Sequence, residues 1–154
     1  MPRPSPSHRH PAARPRTDQP VLGVLSLADG QLTLRLAPGL AGRTTAVLKG
    51  EIDLYGGAGL AEALARAALD CPAGLDLDLT AVRFCDCAGL EALLRAREQA
   101  LNAGRTLVIS TASAPVERLL TLTHSRHLLT DARPRDRPMV AGTKPTATNR
   151  PPVR

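Results

Sequence analysis

The chain has 154 residues and a formal net charge of +6, with 14 prolines, three cysteines, one tyrosine, one phenylalanine and no tryptophan. That length fits one domain of roughly 100–150 residues with tails, which excludes a multidomain enzyme with separate cofactor and substrate lobes. Two aromatic side chains are too few for the stacking platforms that bind single-stranded nucleic acid.

The charge is unevenly placed. Residues 21–130 hold 10 Lys and Arg against 11 Asp and Glu, while residues 1–20 and 131–154 together hold 10 against 3. The foldable part is therefore not basic, and no nucleic-acid partner is expected. Eleven of the fourteen prolines fall in the same two end segments, where apolar residues are too scattered to offset the entropy of ordering the backbone. Disordered Pro/Arg-rich tails are expected over 1–20 and 132–154, flanking a single domain over 21–131. No run approaches the ~18 apolar residues of a membrane span, and the N-terminal MPRPSPSHRHPAARPRTDQP carries charge without an apolar segment behind it. With an odd number of cysteines, at 71, 85 and 87, a disulfide framework is disfavoured and a reduced, cytoplasmic protein is expected.

Along the chain, Leu32, Leu34 and Leu36 alternate with Gln31, Thr33 and Arg35 in the period of a half-buried strand. A turn over Ala37–Arg43 and a second strand over Thr44–Gly50 follow. The Gly56-Gly57 pair reads as a break, after which Leu60, Leu64, Ala67 and Ala68 mark one helix face, with Glu62 and Arg66 paired at i,i+4 on the other. Leu75-Asp76-Leu77-Asp78-Leu79 alternates strictly and predicts a third strand with its aspartates turned outward or toward an end. Val82–Gly89 reads as a connection into a helix carrying Leu90, Leu93, Leu94 and Leu101, which Ala103-Gly104 stops. Arg95 and Arg97 are placed on its solvated side. Thr106–Ser110 predicts a short strand, Pro115 a first helical turn, and Val116, Leu119 and Leu120 the buried face of a last helix before a small closing strand near Leu128 and Leu129. The order strand, strand, helix, strand, helix, strand, helix, strand predicts an α/β fold: a small mixed sheet with parallel later strands and helices on one side.

Chemistry concentrates at Phe84-Cys85-Asp86-Cys87-Ala88-Gly89-Leu90, where a strand region gives way to the strongest helix. A helix N-terminus presents free N–H groups and partial positive charge, which favours anions and activated thiols, and Cys87 is best placed to feel it. Asp86 reads as an N-cap, and Asp53, Asp78 and Asp86 as neighbours on one rim of the sheet. Cys85-x-Cys87 with His124-x-x-His127 lacks a tight Cys-x-x-Cys pair, so no metal is assigned. A cysteine hydrolase would need a nearby His base that nothing local supplies, and no G-x-x-x-x-G-K phosphate loop is present, so neither an enzyme nor a cofactor is expected.

At these residues the sequence resembles the STAS domains of bacterial anti-sigma factor antagonists. The matching pieces are Gly50-Glu51-Ile52-Asp53, Leu75–Leu79 followed by Val82-Arg83-Phe84, Asp86-Cys87-Ala88-Gly89-Leu90, and Ala114-Pro115-Val116, over about residues 30–131. The resemblance implies a domain that acts by binding an anti-sigma factor that is also an ATP-binding serine kinase, thereby freeing a sigma factor in the cytoplasm. It implies a partner surface made of Asp53, Asp86, Cys87, Ala88, Gly89, Leu90 and Glu91. Family members carry a phosphorylated hydroxyl residue where this chain has Cys87, and a second hydroxyl residue where it has Ala88, so the usual phosphoswitch is missing. A family glycine before the final strand is His124 here. Two readings follow: an antagonist without the serine switch, or a module in a larger assembly, and alternatively a redox sensor using the Cys87 thiol.

Overall fold

The computed structural model describes residues 21–130. Five strands lie in the order of the sequence: β1 (Gly23–Leu27), β2 (Leu32–Pro38), β3 (Thr44–Ile52), β4 (Leu75–Cys85) and β5 (Leu107–Ala112). The first two pairings are antiparallel and the last two parallel, because a short turn joins each early pair whereas a helix crosses between the later ones. Those helices are α1 (Leu54–Leu69) and α2 (Cys87–Asn102), and α3 (Ala114–Leu122) and the short α4 (Arg126–Thr130) complete the domain. The expected tails lie outside the described residues.

Period-2 alternation puts Leu32 and Leu34 of β2, Ala46, Leu48 and Ile52 of β3, and Leu75, Leu77 and Leu79 of β4 into one core. Leu60, Leu64 and Ala68 of α1, Leu93, Ala96 and Ala100 of α2, and Val116 and Leu120 of α3 close over it, so the helices cover one side of the mixed sheet as the sequence predicts. The opposite strand faces carry Thr33, Arg35, Val47, Lys49, Asp76 and Asp78, all at least partly exposed.

Four expectations need correction. The domain gains β1, which has no clean alternation because it is an edge strand with three of its five residues exposed. β4 runs to Cys85, so Val82–Cys85 is strand and not connection. Its pairing with β3 shifts register twice, between Val47 and Lys49 and between Gly50 and Glu51, and each shift adds a residue to β4. The inward residues therefore step from Leu79 to Val82 to Cys85 in threes, which hides the strand from a period-2 reading and leaves Asp78 in mid-strand, away from the rim. Third, Gly56-Gly57 does not break the chain but lies in the first turn of α1, where a β-carbon on Gly57 would already touch Ala92 Cβ at 3.4 Å. Last, residues near Leu128 and Leu129 form α4 rather than a strand, and Leu129 fills the core.

One half-buried cluster pins the opposite end of the sheet from α2's start. Arg43, in the turn before β3, donates to Asp76 Oδ1 from Nε at 2.8 Å and also to Ala73 O, Leu75 O and Thr106 Oγ1. A β-carbon on Gly74 would sit 2.3 Å from Arg43 Nη1, and with φ at +103° this position requires glycine.

At the first register shift, Asp78 Oδ1 accepts hydrogen bonds from Thr80 N, Thr80 Oγ1 and Thr111 Oγ1. Burial pushes its pKa up, but these donors outweigh burial and leave it below the ordinary carboxylate value. A carboxylate depressed in the folded state stabilises fully above its unfolded pKa, near ~3.9, and that contribution is lost as pH falls through the lower folded value. Urea midpoints measured from pH 7 to pH 2.5 should therefore fall in the acid range, and Asp78→Asn should flatten that limb while lowering the midpoint at pH 7.

Candidate functional site

The C-terminal ends of the parallel strands β3 and β4 each run directly into a helix, and the two helix starts form one rim. At the first, Asp53 is the N-cap of α1, its Oδ1 accepting from Tyr55 N at 3.0 Å and Gly56 N at 3.1 Å. At the second, Asp86 caps α2, its Oδ1 accepting from Gly89 N at 2.7 Å. Each carboxylate stands at the positive end of a helix and satisfies backbone donors that would otherwise be orphaned.

Gly89 fixes how closely the two starts approach. A β-carbon there would lie 2.4 Å from Ile52 O and 2.8 Å from Ile52 Cγ2, so α2 can rest against the end of β3 only without a side chain. Asp86 N completes the joint by donating to Ile52 O at 3.2 Å. On the other flank, Gly57 and Ala92 bring α1 and α2 into van der Waals contact. The sequence shows Gly89 but not this reason for it, since Ile52 lies 37 positions away.

The seven residues singled out from the sequence divide by exposure. Cys87 and Glu91 are exposed, and Asp53, Asp86 and Ala88 are half-buried. Gly89 and Leu90 are buried, Leu90 at 5% exposure within the core, so they position the rim and present no side chain on it. Arg97 is likewise buried at 8% rather than solvated, whereas Arg95 is exposed and pairs with Glu91 at 2.7 Å. Asp78 does not join Asp53 and Asp86. Sequence reasoning missed the apolar neighbours Leu54 and Tyr55 in the first turn of α1, 70% and 88% exposed, whereas Phe84 near the end of β4, 48% exposed, belongs to the segment already singled out. The chain's one tyrosine and one phenylalanine both lie outside its core, at this end of the sheet.

The two cysteines that flank Asp86 have opposite environments. Cys85 is buried under the start of α2, and burial, followed by the negative charge of Asp86 and the neighbouring Cys87, pushes its thiol up to about 12. Cys87 is the first residue of α2 and is exposed. The two side chains therefore do not converge on a common ligand. Among the described residues no group of three or more His, Cys, Asp and Glu side chains could hold a metal ion, and no helix is long and apolar enough to cross a membrane.

A family profile described as "Mlab, STAS domain" matches residues 36–130. The chain belongs to the STAS domain family. Among solved structures, an anti-sigma factor antagonist from Mycobacterium paratuberculosis is 26% identical, superposes with a TM-score of 0.53, and is covered over 83% of its length by 65% of this chain. The anti-sigma factor antagonist SpoIIAA in its unphosphorylated form superposes with a TM-score of 0.52 over 65% of this chain and 88% of its own, and at 14% identity it shows the fold alone. No curated protein sequence matches. His124, where the resemblance places a glycine, has φ at +53°, the left-handed backbone that glycine adopts without strain.

Two outcomes test this geometry. Gly89→Ala should lower unfolding free energy by about 1–3 kcal/mol, the usual cost of overpacking, measured by urea denaturation. Titration of the native protein with a thiol reagent at pH 7.5 should modify Cys87 first and leave Cys85 unmodified until the protein unfolds, and Cys87→Ser should remove the fastest phase.

Proposed function

We propose that this STAS domain is an anti-sigma factor antagonist: it binds an anti-sigma factor of the ATP-binding serine kinase type through the rim around α2's start, and so frees a sigma factor. The observation that carries this reading is the composition of the rim. Cys87 stands exposed at the first position of α2, beside the half-buried Ala88, at the end of the sheet that also exposes Leu54, Tyr55 and Phe84. Exposed aromatic and aliphatic side chains around a capped helix start are what a protein partner can desolvate, and burying them supplies most of the binding energy. The likeness to an antagonist of known structure supports the same reading.

The absence of a hydroxyl at positions 87 and 88 sets the regulation. In relatives, a phosphate adds about −1.5 to −2 charges and separates the partners. Here, the same addition would have to pass through a thiol or a methyl group, neither of which accepts phosphate from a serine/threonine kinase. The antagonist therefore stays in its binding-competent state when ATP is present, and control lies outside this surface. A second reading keeps the surface and makes the exposed Cys87 thiol the switch, oxidised by hydrogen peroxide to a sulfenic acid as water is released. It requires Cys87 to be alkylated faster than an ordinary exposed thiol at neutral pH.

Calorimetric titration of the full chain into anti-sigma kinases encoded in the same genome, first with ADP and then with ATP, tests the proposal. Binding by the wild type should survive ATP, Cys87→Ser should bind equally in ADP and decay as it is phosphorylated in ATP, and Tyr55→Ala should weaken binding about tenfold or more. Absence of binding to every such kinase would overturn the assignment.

A further inference from the structure

We propose that the open face of the sheet binds a phosphate group, held by Lys49 and Arg83 in a cavity between the β1–β2 turn and the bulged part of β4. This inference does not rest on the antagonist reading, because none of the residues lining the cavity belongs to the partner surface around α2's start.

Two features of the backbone build this cavity of about 360 Å³. The first is Gly50, whose φ is +121° and where a β-carbon would collide with Gln31 O. Only glycine lets the β1–β2 turn fold down onto β3, where Glu51 N donates to Gln31 O at 3.3 Å and fixes one wall. The second is the pair of register shifts in β4, which flank Lys49. Val47 lies opposite Asp78, Lys49 opposite Ala81, Gly50 opposite Val82 and Glu51 opposite Phe84, so Arg83 is an inserted residue with no counterpart on β3. A bulge re-aims the side chain it inserts, and Arg83 lines the same cavity as Lys49 from the neighbouring strand. Ala81 leaves the space between them open, and Thr33, opposite Lys49 on β2, adds a hydroxyl.

Charge selects the ligand. None of the lining residues is acidic, and Lys49 has no ion-pair partner among the described residues. Arg83 has a loose one, Glu51 at 3.6 Å, and with the two side chains 74% and 42% exposed that pair is readily exchanged for a better acceptor. Two cations facing one cavity match a phosphate group, which carries about −1.5 to −2 charges at neutral pH, better than a carboxylate with one. The guanidinium fork of Arg83 suits two phosphate oxygens at once, while the Lys49 ammonium acts as a point charge. The Gln31 amide and the Thr33 hydroxyl offer further donors. A free phosphate ion and a phosphomonoester present this same group, and the cavity has room for a small substituent as well.

Amide NMR of the full chain at constant ionic strength, titrated to about 10 mM with inorganic phosphate and separately with glucose 6-phosphate, decides the matter. Saturable shifts centred on Gln31, Lys49, Gly50 and Arg83 are expected. Lys49→Gln and Arg83→Gln should each raise Kd about tenfold with an unchanged thermal midpoint, since both side chains are exposed. Glu51→Gln should lower Kd by releasing Arg83, whereas Arg66→Gln, an equal loss of charge on the exposed side of α1, should leave it unchanged. Tighter binding of glucose 6-phosphate than of phosphate identifies a phosphomonoester as the ligand, and the reverse order identifies the free ion. Shifts that stay linear throughout, that fall only outside the cavity, or that respond to Arg66→Gln as strongly as to Arg83→Gln would overturn the proposal.

Discussion

The domain is organised around a single close approach, that of Gly89 on α2 to the carbonyl and side chain of Ile52 on β3. A backbone-to-backbone joint of this kind has no slack, since any side chain at position 89 must displace either a helix or the end of a core strand. Because Asp86 N bonds to Ile52 O and Asp86 Oδ1 bonds to Gly89 N, the same two residues that set the distance also set the angle at which α2 leaves β4. Cys87 lies between them in sequence and inherits their rigidity. What it presents to solvent is thus held in place by contacts it does not itself make.

The acidic residues at this rim illustrate how structure reassigns charge. Asp53 and Asp86 each give an oxygen to backbone N–H groups at a helix start, so much of their interaction capacity is directed inward. The outward character of the rim is consequently more apolar than its sequence suggests, and Leu54, Tyr55 and Phe84 define it as much as the carboxylates do. Surface ion pairs such as Glu91 with Arg95 add little to stability, because both groups remain solvated and each side chain loses freedom in pairing.

At the far end of the sheet, Arg43 performs the corresponding task with a charge instead of a glycine. Its guanidinium reaches Asp76 on β4, two backbone carbonyls and Thr106 just before β5, and both it and Asp76 are only 21% exposed. A planar fork with several donors suits this arrangement, whereas a lysine could not meet so many acceptors at once. The sheet is therefore clamped at both ends of its parallel half. Its antiparallel half has no such clamp and ends in the apolar edge of β1.

The sequence by itself determined the fold class, the parallel and antiparallel halves, the leucines of the core and the helix start that carries Cys87, because these depend on period-2 and period-3.6 alternation and on local capping, which are written within a few residues of one another. It also placed Asp86 correctly as a cap. Only the tertiary structure decided the remainder. The two register shifts of β4 arise from its pairing with β3, so no pattern within Ala81–Cys85 announces a strand, and Asp78 moves from the rim to mid-sheet as a result. Arg97 is buried by elements distant in sequence, and β1 exists because β2 supplies its hydrogen-bonding partner. Glycines 57 and 89 look like breaks or free turns when read locally, and become obligatory small surfaces once α1, α2 and β3 meet, since steric contact between distant segments is a property of the packed molecule alone.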